Sequence, residues 1–171
     1  MSKPPANRLD AVRLAADGAS LERRYPLAGF PRLADSLVTS AGDAIARLWF
    51  FEAAPGVPGC DLEVEATPAL RCQRCLKAVA VPVRSAGRVG FVADDADAAR
   101  VPEDVEAVTC DAREVDLHAL VEDELLLALP LVPRHEGEDC GPREATRGPG
   151  ESEDSRAATR PFAGLEDLLK H

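Results

Sequence analysis

Residues 61–83, with the sequence DLEVEATPALRCQRCLKAVAVPV, contain the pattern that indicates the fold most clearly. Apolar Leu62 and Val64 alternate with acidic Glu63 and Glu65, as expected of a strand that buries one face. Two cysteines follow, and then a valine-rich run that is again typical of a strand. Short strands joined by tight turns predict an antiparallel, meander-like sheet.

The segments on either side add further strands and one principal helix. DAIARLWFFEAA, residues 43–54, is aromatic and partly alternating, and EAVT, residues 106–109, is a short strand pattern. The strongest helix pattern lies near 116–128, where Asp116 is a suitable N-cap and Pro130 ends the helix. The sequence therefore predicts an α+β fold, with an antiparallel sheet, one principal helix and a short C-terminal helix.

Composition divides the chain into three parts. Residues 1–136 are expected to form a single α+β domain. Residues 137–160 are rich in Gly, Pro, Ser and charge, so we expect a disordered linker. Residues 161–171, PFAGLEDLLKH, form an amphipathic tail whose apolar stripe needs a partner surface.

The length and composition of the chain indicate which broad class of protein it belongs to. The chain has 171 residues, of which 46% are apolar, enough for one modest core. It contains no apolar run of the roughly 18 residues needed to span a membrane, and its N-terminus lacks the apolar stretch of a secretory signal. We therefore expect a cytoplasmic protein with no membrane partner. Thiols stay reduced in that compartment, so five cysteines predict metal binding or packing before disulfides.

Cys72 and Cys75 have the spacing of half a zinc knuckle. His135 and Cys140, after the principal helix, can supply the other half, so these four residues are the predicted zinc ligands. The alternative is that the cysteine pair only forms a tight turn at the end of a strand. A redox role is less favoured, since a redox Cys-x-x-Cys normally opens a helix in a thioredoxin-like context. Cys60 is interpreted as a packing residue, as is Cys110.

The charge is uneven along the chain. The net charge is -10, and phosphate repels an acidic protein. Residues 71–88 nevertheless contain five basic residues and no acid: Arg71, Arg74, Lys77, Arg84 and Arg88. They predict a contact with RNA or a partner protein, and the alternative is an ordinary solvated face. The stretch has no aromatic residue, so an RNA contact there would be mostly to phosphate.

An acidic cluster lies within the principal helix. Glu122, Asp123 and Glu124 are followed three and four residues later by apolar side chains only, so no basic residue on the helix pairs with them. We consider two interpretations, a solvated acidic face and a contact surface for a basic partner.

The sequence contains no motif of a common enzyme class. It has no glycine-rich phosphate loop, no nucleophile elbow and no paired-histidine metal motif. We therefore predict a protein without catalytic residues and without a small-molecule substrate.

Three stretches together resemble a known family: LRCQRCLKAV at 70–79, EVDLHALVEDELLLALPLVPRHEGEDC at 114–140 and RPFAGLEDLLK at 160–170. Their order and spacing resemble the YceD-like family of large ribosomal RNA subunit accumulation proteins. The resemblance implies a non-catalytic factor that supports large-subunit ribosomal RNA by binding that RNA or a basic ribosomal protein.

The alternative is a small zinc-binding interaction protein without a direct RNA role. Some members of the family carry a further Cys-x-x-Cys, in a stretch similar to GLCPVCG. Residues 140–150 of this chain read CGPREATRGPG instead, so that second pair is missing.

Overall fold

The computed structural model of the protein describes residues 7–136 and residue 140. The strands are β1 Arg8–Leu9, β2 Ser20–Pro26, β3 Leu37–Thr39, β4 Asp43–Ala54, β5 Val57–Ala66, β6 Ala69–Arg71, β7 Ala78–Ala80, β8 Val83–Val92, β9 Glu106–Thr109 and β10 Val115–Asp116. The helices are α1 Ala11–Ala16, α2 Pro31–Ala34, α3 Asp95–Ala98 and α4 Leu117–Ala128. None of the helices in this part of the chain is long and apolar enough to cross a membrane.

The larger sheet has five strands in the order β2-β4-β5-β8-β9. Every neighbouring pair is antiparallel except β8 and β9, which run parallel. The predicted α+β class with a mainly antiparallel sheet is confirmed. The predicted alternation is also present, because Leu62 and Val64 are buried while Glu63 is exposed.

Two segments of the predicted meander, β6 and β7, leave this sheet. They join β3 in a separate three-stranded sheet, from which the chain returns to β8. The chain leaves β5 just before Pro68 and enters β8 just after Pro82. Proline has no N–H to donate to a central ladder, which explains why the pairing breaks at these two points.

One face of the five-stranded sheet packs against α4. Leu117, Val121 and Leu125 of this helix are buried in the same apolar cluster as Leu48 and Leu62 of the sheet. The prediction of a principal helix near 116–128 is confirmed. So is its N-cap, since the Asp116 carboxylate accepts a hydrogen bond from the Ala119 N–H at 3.1 Å.

The described residues belong to one compact unit, Met1–Gly141. Apart from Cys140, the predicted linker 137–160 lies outside the described residues, and so does the predicted helical tail 161–171. The expected division of the chain into domain, linker and tail therefore stays a prediction.

Candidate metal centre

The four predicted zinc ligands come from two segments that meet at the three-stranded sheet. Cys72 and Cys75 lie in the turn between β6 and β7, while His135 and Cys140 follow α4. A backbone hydrogen bond of 2.8 Å from the Gln73 N–H to the Pro133 carbonyl joins the two segments. The turn and the chain after the helix are thereby held side by side.

The cysteine turn has a tight, locally strained backbone. The Cys72 N–H donates to the Lys77 carbonyl at 2.9 Å, and the Leu76 N–H donates to the Cys72 carbonyl at 2.9 Å. Leu76 has a φ of 63°, in the left-handed region that costs a residue with a Cβ roughly 1–2 kcal/mol. Strain of this kind is typical of sites whose geometry is functionally constrained.

The four side chains converge on one point. The Cys72 and Cys140 sulfurs are 3.6 Å apart, and the Cys75 sulfur is 3.6 Å from Nδ1 of His135. All four ligand atoms lie within 4.8 Å of one another. Sulfur atoms on one tetrahedral zinc ion are about 3.8 Å apart, given a Zn–S bond of about 2.3 Å. The cluster can therefore hold a metal ion, and its three sulfurs and one imidazole fit zinc.

The orientation of His135 suits a ligand. Its Nε2 lies 3.1 Å from the Ala78 carbonyl, which can only accept a hydrogen bond. Nε2 therefore donates to this carbonyl, and Nδ1 is the ring nitrogen that faces the sulfur atoms. Metal-binding histidines in proteins are commonly fixed in this way by a carbonyl on the second ring nitrogen.

The electrostatics of the cluster favour a thiolate at Cys72 and at Cys140 but not at Cys75. The Lys77 N–H lowers the pKa of Cys75, but burial and hydrogen bonds with Cys140 and Cys72 outweigh it and raise this pKa. Burial alone raises the pKa of Cys72, but N–H donors of Cys75, Arg74 and His135 outweigh it and bring the pKa to about 5. The pKa of Cys140 is also lowered, because the Arg74 Nε–H donates to its sulfur at 3.0 Å and opposes the effect of burial. Hydrogen bonds to Cys72 and Cys140 raise the pKa of His135.

The two other cysteines lie outside this cluster. Burial raises the pKa of the Cys60 thiol to about 12, and it also raises the pKa of Cys110. Both thiols therefore stay protonated at neutral pH, which suits packing residues better than metal ligands.

The five basic residues of 71–88 are divided between the two sheets. Arg71, Arg74 and Lys77 lie at the cysteine turn of the three-stranded sheet. Arg84 and Arg88 lie on β8, where they pair with acids of β5: Arg84 contacts Glu65 at 2.9 Å, and Arg88 contacts Asp61 at 2.7 Å. The role of these five residues in binding stays a prediction. Arg71, Arg74 and Lys77, at the cysteine turn, are the ones that do not pair with acids of β5.

The acidic cluster of α4 is not the exposed surface that the sequence suggested. Glu122 is 3% exposed and Glu124 is 8% exposed, so both carboxylates are buried. Glu124 accepts a hydrogen bond from the Ser85 hydroxyl. Asp123 is exposed and pairs with the Arg32 guanidinium. Helical spacing could not reveal these contacts, because both partners come from other elements. Of the three residues in the predicted contact surface for a basic partner, Asp123 is therefore the one that is exposed.

Glu122 accepts hydrogen bonds from the backbone N–H groups at the N-terminus of α2. Its carboxylate accepts hydrogen bonds from the backbone N–H groups of Arg32, at 2.6 Å, and Leu33, at 3.1 Å, and from the Arg32 guanidinium at 3.0 Å. The N-cap position of α2 is Phe30, whose side chain cannot accept a hydrogen bond. The carboxylate therefore supplies from α4 the acceptor that this N-terminus lacks.

Comparison with known proteins places the chain in a family. The model of the family described as large ribosomal RNA subunit accumulation protein YceD matches residues 60–169. The chain belongs to the YceD family. A relative from Haemophilus influenzae, named large ribosomal RNA subunit accumulation protein YceD, is 36% identical over 110 residues. That alignment covers 64% of this chain and 63% of the relative. No solved structure matches the chain.

The family match includes all four residues of the metal cluster, Cys72, Cys75, His135 and Cys140. It does not include β4, which lies before residue 60. The pairing of Arg32 with Glu122 also involves a residue before the match. Sequence reasoning missed this pair, although one signal for it exists: Pro31 opens a helix that has no polar N-cap residue.

Proposed function

We propose that this protein supports the accumulation of large-subunit ribosomal RNA by binding that RNA or a basic ribosomal protein, without catalysing a reaction. The name of the YceD family and of its Haemophilus influenzae member supports the biological role. The absence of phosphate-loop, nucleophile-elbow and paired-histidine motifs from the sequence supports binding over catalysis.

We further propose that zinc is bound by Cys72, Cys75, His135 and Cys140. Zinc supplies no reaction in this proposal and acts as a cross-link between β6, β7 and the segment after α4. The observation that carries it is the convergence of four ligand atoms within 4.8 Å. The hydrogen bond from His135 to a carbonyl supports it independently, since it leaves the second ring nitrogen available to a metal.

The contact surface that we propose is the cysteine turn. Arg71 and Lys77 are exposed there, and neither makes an ion pair within the described part of the chain. Arg74 lies between them and contacts the Cys140 sulfur. A rigid, metal-braced turn would present these cations at fixed positions, and a phosphate backbone is the complementary ligand.

The test is replacement of the protein in cells depleted of it. We expect a variant with Arg71→Glu and Lys77→Glu to lower the ratio of large-subunit to small-subunit ribosomal RNA. A variant with Arg13→Glu and Arg113→Glu is the matched control, because both residues are exposed and lie outside the cysteine turn, on α1 and in the loop before β10. Crosslinking, followed by identification of the bound RNA and protein, distinguishes the two classes of partner.

Two results would contradict the proposal. If depletion leaves the ratio unchanged, the chain has no role in ribosomal RNA accumulation. If the turn variant restores the ratio as fully as the control variant, the cysteine turn is not the contact surface. A zinc-binding interaction protein without an RNA role is the second candidate, and it predicts zinc binding together with an unchanged ratio.

A further inference from the structure

The sheet face opposite α4 carries the single tryptophan of the chain. Leu48 and Phe50 of β4 point into the core, so Trp49 between them points to the other face. Trp49 is 42% exposed. Large aromatic side chains are usually covered in a folded protein, and an exposed one on a strand is a common feature of binding surfaces.

A shallow depression of about 600 Å³ lies beside this tryptophan. On the tryptophan side its floor includes Ala86 of β8, whose side chain is a single methyl group, next to the backbone of Gly87. Val101 and Val105 lie over Gly90 and cover only one end of this sheet face.

The rim of the depression is acidic. Asp61, Glu63 and Asp104 line it, against one cation, Arg88. The Arg88 guanidinium is already satisfied, at 2.7 Å from Asp61 and 3.1 Å from Asp104, and it also lies 5.1 Å from the centre of the Phe51 ring.

Glu63 is the rim residue that makes no ion pair within residues 7–136. It is exposed on β5, and Arg47, opposite it on β4, pairs with Glu22 and Glu65 instead. An exposed aromatic ring, a small alanine beside it and a carboxylate without an ion pair are features that suit a cation with a long apolar stem.

We propose that this depression binds a lysine or arginine side chain from a cationic segment of a partner protein. The cation lies against the face of Trp49, and its charge pairs with Glu63. Nucleic acid is disfavoured here, because three carboxylates line the depression and repel phosphate. The expectation that this segment belongs to a ribosomal protein rests on the proposed function. The cation site itself rests on Trp49, Glu63 and the depression between them.

The test uses the full chain and nona-arginine as the probe. Trp49 is the single tryptophan, so its fluorescence reports on this site directly. We expect nona-arginine to change the fluorescence saturably, and nona-glutamate and a decauridylate RNA to leave it unchanged. Anisotropy of labelled nona-arginine measures the affinity independently of the tryptophan, which allows the ring itself to be varied.

Three variants separate the site from general attraction to an acidic protein. We expect Trp49→Ala to weaken nona-arginine binding about two- to fivefold, the typical effect of one exposed cation–π contact. Glu63→Gln is expected to weaken it by a similar factor. Asp35→Asn is the control, because it removes the same charge from an exposed residue at the end of α2, which contacts α4 and not this face.

The results decide the proposal in either case. Weaker binding by Trp49→Ala and Glu63→Gln, with Asp35→Asn unchanged, supports it. Equal affinities for Glu63→Gln and Asp35→Asn, or a fluorescence response to decauridylate and not to nona-arginine, would overturn it. If Trp49→Ala fails to fold by circular dichroism, Glu63→Gln alone decides. An unchanged ribosomal RNA ratio after depletion would contradict the proposed function but not the cation site. The two proposals can therefore be contradicted independently.

Discussion

The five-stranded sheet buries a continuous apolar face against α4, whereas the described residues give the three-stranded sheet a core cluster of four buried side chains. These four are Leu70, Cys72, Val79 and Cys140. Half of the small core is therefore made of proposed zinc ligands. Strands of three residues bury too little apolar surface to be stable alone, and small structures of this kind generally need a metal or disulfides.

The difference shows two ways to hold a sheet together. The large sheet depends on apolar burial and on buried carboxylates that find donors in other elements. The small sheet depends on side chains that can share one ion, and structural zinc contributes about 10–16 kcal/mol in isolated small domains. We expect separate substitutions to weaken each kind, although Leu37, Val81 and Leu129 pack against both cores.

The largest expected effect is on the small sheet. Cys72→Ser removes a proposed ligand, so zinc affinity should fall by more than the roughly 10- to 100-fold loss typical of outer-shell changes. Hydrogen exchange should then accelerate at the amides of Cys72 and Gln73, while the amides of β5 stay protected. Cys110→Ser is the control, because this thiol is outside the cluster. Uniform protection in both variants would show that the small sheet does not depend on its ligands.

The next effect is on the large sheet and its helices. Glu122→Gln removes the charge that accepts hydrogen bonds from two backbone N–H groups and Arg32, so we expect a loss of about 1.5–3 kcal/mol in the free energy of unfolding. Asp123→Asn, on the exposed side of the same Arg32, should cost under about 1 kcal/mol. Urea unfolding measures both, and zinc content should not change. Equal losses for the two variants would mean that burial of Glu122 adds nothing.

This contribution of Glu122 should depend on pH. Burial raises its pKa, but the N–H donors of Leu33 and Arg32 outweigh burial and leave the pKa below the ordinary value of 4.5. The stabilisation is therefore complete above about pH 4.5 and is lost as the pH falls through the lower folded-state pKa. The difference between the unmodified protein and Glu122→Gln should shrink on acidification. A difference that grows instead would contradict the assigned direction.

The smallest effect concerns the cysteine turn. Leu76 has a positive φ and is 42% exposed, so Leu76→Gly should relieve backbone strain with little loss of packing. We expect a gain of about 0.5–1 kcal/mol, since glycine also loses more entropy on folding. Leu76→Ala keeps the Cβ and should show no gain. If alanine and glycine stabilise the protein equally, the benefit comes from removing an exposed leucine and not from relief of strain.

Much of this arrangement could be predicted from local patterns. Alternation in 61–66 predicted β5, and Asp116 with Pro130 predicted the bounds of α4 to within about two residues. Ligand type, the Cys-x-x-Cys spacing and the family motif predicted which four residues come together at the cysteine turn. The fold that brings them together did not have to be known.

The features that sequence reasoning missed all depend on distant contacts. Burial of Glu122 depends on Arg32, which is 90 residues away along the chain. The separation of the two sheets was visible in Pro68 and Pro82, but a proline predicts a break in pairing and not the new partner strand. Exposure of Trp49 depends on which face α4 covers, and alternation within β4 alone does not show which face that is.

Elemental analysis measures directly whether one metal ion braces the small sheet and its basic turn. The full chain, purified without chelator and dialysed against metal-free buffer, is measured beside Cys72→Ser. The account predicts about one equivalent of zinc in the unmodified chain and a near-complete loss in the variant, because structural zinc sites bind tightly. Less than about a tenth of an equivalent in the unmodified chain would contradict it.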